Sequence, residues 1–209
     1  MEKKDLLKDV IKHIDIKSYN STELIDAMRN MSFTSRDTAR AADILMMMCK
    51  EKECTNILTL AGSTSAAGCM QVYVDMVRNK MIDVVVATGA SIIDMDLFEA
   101  LGFKHYIGEK ENVIADTTLR DLYIDRIYDT YIDEEELQAC DHTTFEIANM
   151  LEARPYSSRE FIYEIGKWLH DGHAVKKDSL IQTCYECGVP IFVPAFSDSS
   201  AGFGIGKHQ

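Results

Sequence analysis

The sequence predicts an α/β fold built on a parallel sheet, and two observations carry that prediction. The runs at 56–62 and 82–89 are short, rich in β-branched residues and end in Gly62 and Gly89, with a helix-length segment between them. That is the pattern of a strand–helix–strand unit. Both runs are apolar almost throughout instead of alternating, as in strands covered on both faces, which belong to parallel sheets inside α/β domains.

The elements follow in order. A helical arm comes first, where Leu24, Ile25 and Met28, then Ala41, Ile44, Leu45 and Met48 recur at helical spacing. Thr34 or Ser35 is placed to cap its second helix. Beyond the two strands come a segment from Leu97 to Leu101, a glycine-punctuated stretch from Gly102 to Gly108, and helices expected over 117–130 and 134–150. Ser157 and Glu160 then spell a capping box, with Phe161, Ile162, Ile165, Trp168 and Leu169 on one face of the helix it opens. A helix over 178–187 and a third strand over 189–195 complete the list, the strand running into a polar turn at 196–202.

Composition narrows the function. The 209 residues are 46% hydrophobic with only three prolines, enough apolar surface for one sizeable core. The longest apolar run, 41–49, is interrupted by Asp43 and falls far short of the roughly 20 residues a bilayer-spanning helix needs. The N-terminus intersperses charges where a signal peptide needs an unbroken apolar stretch, so a cytoplasmic location is expected, with the six scattered cysteines reduced. A net charge of −12 repels phosphate backbones, which argues against nucleic acid as a partner, and attracts a small polycation.

All three strands end in small polar loops: Gly62 with Ser63, Thr64 and Ser65; Thr88 with Gly89, Ala90 and Ser91; and Ser197 with Asp198, Ser199 and Ser200. In a parallel sheet such loops share one edge, where backbone N–H groups gather around a ligand, typically one bearing phosphate. The competing explanation is that small residues merely make tight strand-to-helix turns. None of the loops is the standard dinucleotide fingerprint, and the glycines of 202–206 have the wrong spacing for it.

Four stretches, 84–90, 119–129, 155–161 and 189–198, resemble deoxyhypusine synthases in order and spacing, specifically their bacterial synthase-like branch. The resemblance implies a Rossmann-like NAD-binding domain over 51–209, with 1–50 as an N-terminal helical extension, in a homotetramer with its sites at subunit interfaces. It implies hydride transfer from spermidine to NAD, then passage of an aminobutyl group through an enzyme-lysine imine to an acceptor amine, either a protein lysine or a free diamine. By residue, it places Ser63, Thr64, Ser65, Thr88, Gly89, Ala90 and Asp198 at the cofactor, and either Asp94 or Asp96 toward the polyamine. For Asp198 an Asx turn or helix cap is the plainer alternative.

The departures are as informative. Phe203 stands where eukaryotic members carry a second polyamine-contacting acid. The family's Trp-Gly-Lys motif lies C-terminal to anything present, and nothing around Lys207 resembles it. The chain is therefore expected to be a fragment or truncated product, with a non-catalytic subunit that keeps a nucleotide-binding fold as the alternative to a transferase. His170, His173, Cys184 and Cys187 offer zinc-type ligands in two pairs, but their helical surroundings speak for a helix-end histidine and buried thiols. Glu134, Glu135 and Glu136 read as a solvated helix start, and Met46, Met47 and Met48 as core or interface filling.

Overall fold

The computed structural model describes residues 2–108 and 114–206, so Lys207 lies outside the described residues. Strands β1 (Ile57–Leu60), β2 (Val84–Ala87) and β6 (Ile191–Phe192) form a parallel sheet in the order β1-β2-β6. Its register pairs Leu60 with Ala87 and Val86 with Phe192, which brings the C-terminal ends of all three strands to one edge.

Helix α4 (Met70–Arg78) connects β1 to β2; α9 (Leu180–Cys187) packs on it, and α8 (Ser158–Trp168) packs on α9. Val74, Val85, Ile92, Ile165 and Leu180 are fully buried between these layers. Each such side chain contributes about 1.5–3 kcal/mol by leaving water. The Ser157 capping box forms as expected: its hydroxyl accepts the Glu160 N–H at 3.2 Å, and the Glu160 carboxylate accepts the Ser157 N–H at 2.8 Å.

The N-terminal part comprises α1 (Lys3–Leu6), α2 (Thr22–Met28) and α3 (Phe33–Lys50). Helix α3 opens one residue before Thr34, with Ser32 at the cap position and no side-chain cap bond. Thr34 and Ser35 thus lie inside the first turn, and Thr34 supplies its carbonyl to the Thr38 hydroxyl. Only Ala39 of α3 is buried.

The largest departure from expectation lies at 117–130. A single helix was expected there; instead α6 (Asp116–Asp121) is followed by a hairpin of β4 (Ile124–Ile127) and β5 (Thr130–Asp133). With β3 (His105–Ile107) these strands make a second, antiparallel sheet in the order β3-β5-β4. Tyr131 and Ile132 are buried, and Tyr131 joins Leu6, Leu119 and Ile124 in a small satellite core. The third parallel strand is also shorter than the expected 189–195, because Pro190 and Pro194 have no N–H to give a ladder. After α7 (Glu134–Met150), the polar turn expected at 196–202 leads into a helix, α10 (Ala201–Ile205), which packs on α7. Glycine is required at Gly204, since a Cβ there would collide with the Asp141 carbonyl.

Candidate functional site

The three polar loops meet, and specific contacts hold them. Ser91 donates its hydroxyl to the Gly62 carbonyl at 3.2 Å and shares a 3.0 Å contact with the Thr88 hydroxyl, joining the first loop to the second. Ser65 donates to the Met95 sulfur at 3.1 Å, a further tie between the same two. The second loop is pressed on the third at Gly89: a Cβ there would stand 2.7 Å from the Ser199 Cβ and 3.0 Å from the Phe196 carbonyl oxygen. Asp94 completes the link by accepting the Ser200 hydroxyl at 2.7 Å and the Ser200 N–H at 3.2 Å.

The first loop runs into a turn over Ser65–Cys69 that Gly68 breaks at φ 97°, and the second runs into a π-helical segment, Ala90–Leu97, which continues into α5 (Phe98–Ala100). Such wider turns inside helices are frequent at functional sites. Here the widened turn at Ala90–Leu97 holds Asp94 beside Ser200 while Asp96 faces the protein interior.

The predicted residues divide into those at the open edge and those beneath it. Thr64, Thr88 and Asp198 are exposed, Ser63 and Ala90 half-buried, and Gly89 buried under the third loop. The Thr64 hydroxyl accepts from the Tyr73 hydroxyl at 2.8 Å. Asp198 ends a 3-10 turn, Phe196–Asp198, with its carboxylate in solvent and no hydrogen bond among the described residues. Ser65 is buried, with its hydroxyl spent on Met95.

Asp94 and Asp96 differ in kind. Asp96 is buried, and its two oxygens accept the N–H groups of Leu180 and Ile181 at 2.8 Å each, capping α9 from a distance. Burial pushes its carboxyl up to about 6 against the pull of those two donors. Asp94 stands at the loop edge; burial likewise pushes it up to about 6, with the Ser200 hydrogen bonds opposing and the Asp141 charge adding. Ser200 reaches Asp141 as well, at 2.5 Å.

Beside this group lies a cavity of about 410 Å³ lined by Asp125, Glu134, Asp141, His142, Ser200 and Phe203 among others. A second cavity, about 700 Å³ with Arg154, Tyr156, Phe161 and Ile205 in its walls, reaches the third loop through Phe196.

Sequence reasoning placed Ser91, Ser199 and Ser200 in the loops without giving them roles, and gave no sign of Asp141, which sits mid-helix among polar neighbours. The four zinc-type residues are engaged separately or kept apart. His170 lies 3.1 Å from Glu186, His173 stacks on Trp168, and Cys184 is buried while Cys187 is exposed. Among the described residues no group of three His, Cys, Asp or Glu side chains is placed to hold a metal ion. No helix there is long and apolar enough to cross a membrane.

A parallel sheet with its polar loops gathered on one edge defines an α/β protein of Rossmann-like architecture. The family model for deoxyhypusine synthase matches residues 23–209, and the chain belongs to the deoxyhypusine synthase family. It is 67% identical over 208 residues to a deoxyhypusine synthase-like protein of Caulobacter vibrioides, covering 100% of this chain and 56% of that one. A deoxyhypusine synthase-like protein of Coxiella burnetii is 60% identical over 207 residues, covering 99% and 58%. The chain thus spans little more than half the length of these relatives. Among solved structures, a crystal structure assigned to deoxyhypusine synthase from Entamoeba histolytica superposes with a TM-score of 0.64 at 20% identity, covering 94% of this chain and 66% of that one. That likeness is one of fold.

Proposed function

We propose that the chain carries the cofactor half of a deoxyhypusine synthase-like enzyme, which transfers the aminobutyl group of spermidine to an acceptor amine with the help of NAD. The observation that carries this reading is the mutual locking of the three loops through Ser91, Gly89–Ser199 and Asp94–Ser200. The residues fit the group. Asp198 offers an exposed carboxylate to ribose hydroxyls, and Gly62, at φ +74° with open space around it, lets the ligand approach the backbone closely. Ser63, Thr64, Thr88 and Ala90 supply hydroxyls and N–H groups along the same edge. Gly89 keeps the second and third loops in contact, and Ser65 braces the first from beneath.

When bound, NAD supplies the hydride acceptor. Asp94, the member of the acidic pair at the edge, is the one assigned to the polyamine; Asp96 is assigned to holding α9. The net charge of −12 supports a cationic substrate. The homotetramer and the cytoplasmic setting belong to the same reading. Exposed Leu24, Phe33, Ile44, Met46 and Met47 on the N-terminal helices support a subunit contact there. The acceptor is a protein lysine or a free diamine, and the lysine that would form the imine lies outside these 209 residues.

A second reading is that the 209 residues bind nucleotide without turning over. Spermidine-dependent NADH formation separates the two, measured on this chain and on one extended to the length of its relatives. Turnover in the extended chain alone supports the transferase. Absence of turnover in both, with NAD bound, supports the non-catalytic chain.

A further inference from the structure

Ser200 has one hydroxyl proton and meets two carboxyl groups. Its Oγ lies 2.7 Å from Asp94 Oδ1 and 2.5 Å from Asp141 Oδ1, while its N–H also donates to Asp94. A hydroxyl donates once and accepts twice, whereas an ionised carboxylate only accepts. With both acids ionised, one of these two contacts would set oxygen lone pairs against each other at hydrogen-bonding distance. Each contact is a full two-centre hydrogen bond only if one carboxyl keeps a proton and donates it to Ser200 Oγ, while Ser200 donates to the other.

We infer that Asp94 and Asp141 hold one proton between them across the Ser200 hydroxyl and titrate as a pair, with Ser200 and Asp141 acting as positioning residues for Asp94. The setting agrees. Asp94 comes from the Ala90–Leu97 segment, Asp141 from α7 and Ser200 from the start of α10, so three elements converge on one proton. Other described titratable groups near the pair are Asp125 on β4, Glu134 and His142 on α7, and the buried Cys140 thiol. Burial raises the Cys140 thiol, and the charges of Asp141 and Asp94 raise it further, which places both carboxyls around that point.

The use of this pair rests on the reading of the loop edge as an amine-handling site. A substrate ammonium has to lose a proton before its nitrogen lone pair can assist departure of a hydride from the adjoining carbon to a nicotinamide-class acceptor, which the proposed cofactor would supply. The N–H bond breaks, its electron pair stays on nitrogen, and the proton goes to the ionised member of the pair. The proton count is independent of that use.

The test is a carboxyl 13C NMR titration of the 209-residue chain, with Asp141→Asn and Asp94→Asn for assignment. The expected result is a two-step titration whose steps are separated by more than about one pH unit, as strongly coupled acids require. In Asp141→Asn the upper step should vanish, leaving Asp94 with a single, lower midpoint. Two independent titrations in the ordinary aspartate range would overturn the inference, as would an unmoved Asp94 midpoint in Asp141→Asn. Should one variant fail to fold, the other reads the same coupling from the opposite side, and the wild-type curve decides between one shared proton and none. Because no polyamine is added, the outcome stands apart from success or failure of the spermidine assay.

Discussion

Asp94 and Asp96 are two positions apart in sequence and are held by different parts of the fold, Asp94 by Ser200 and Asp96 by α9. The sequence left the choice between them open, because the feature that separates them is long-range: the N–H groups that hold Asp96 come from Leu180 and Ile181. No local pattern announces a helix capped from so far away. The raised Asp96 carboxyl has a consequence for stability with a definite sign. Its folded value of about 6 exceeds its ordinary 3.8, so between these values the native state holds a proton that the unfolded chain has released. The stabilising contribution is therefore present below pH 3.8 and is lost as pH rises through about 6. Asparagine does not titrate. The stability of the wild type relative to Asp96→Asn should fall by roughly 1–3 kcal/mol between about pH 4 and about pH 7, read by urea unfolding. A difference that stays constant across that interval would contradict a buried, raised carboxyl. Glu99 behaves oppositely. Burial opposes its ionisation, yet hydrogen bonds from His105 and His13 and the Lys176 charge hold it well below the usual carboxylate range, so its contribution is lost only in acid.

At the scale of elements, what the sequence displays locally is what it predicts well. The Ser157–Glu160 capping box, the two glycine-terminated strands and the helix ending at Cys187 all carry their signals within a few residues. The 117–130 region does not. Its hairpin turns at Tyr128, and Tyr123 makes the turn from α6 into β4, both with positive φ, where glycine or asparagine would ordinarily mark the turn. Without those residues the segment imitates a helix, and burial of Tyr131 and Ile132 against their neighbours overrides the missing turn signal. Tyr128, 87% exposed at φ 54°, tests this directly. Tyr128→Gly removes the left-handed strain at a smaller cost in chain entropy, and should leave the protein about 0.5–1 kcal/mol more stable in thermal unfolding. A continuous helix through this position would instead be weakened by about 1 kcal/mol on glycine substitution.

For the molecule as a whole, among the described residues the N-terminal segment is tied to the α/β body by Lys3, paired with Asp133 at 2.5 Å and Glu135 at 2.8 Å, by Lys17–Asp75 at 2.7 Å and by the His13–Glu99 contact at 2.6 Å. Sequence reasoning separated the first fifty residues as an extension, and these pairings across long separations left no trace in local pattern. The convergence of the loops, by contrast, was legible, because three strands that end in small polar residues must share an edge once they are parallel. What that edge binds is decided by calorimetric titration of NAD. It would be made on the 209-residue chain and on one extended to the length of its relatives, each beside its Asp198→Ala variant. Saturable one-site binding to both is expected, weakened about tenfold or more in the variants, a loss of at least ~1.4 kcal/mol. No binding to either chain, or binding indifferent to Asp198, would contradict the assignment of these loops to the cofactor.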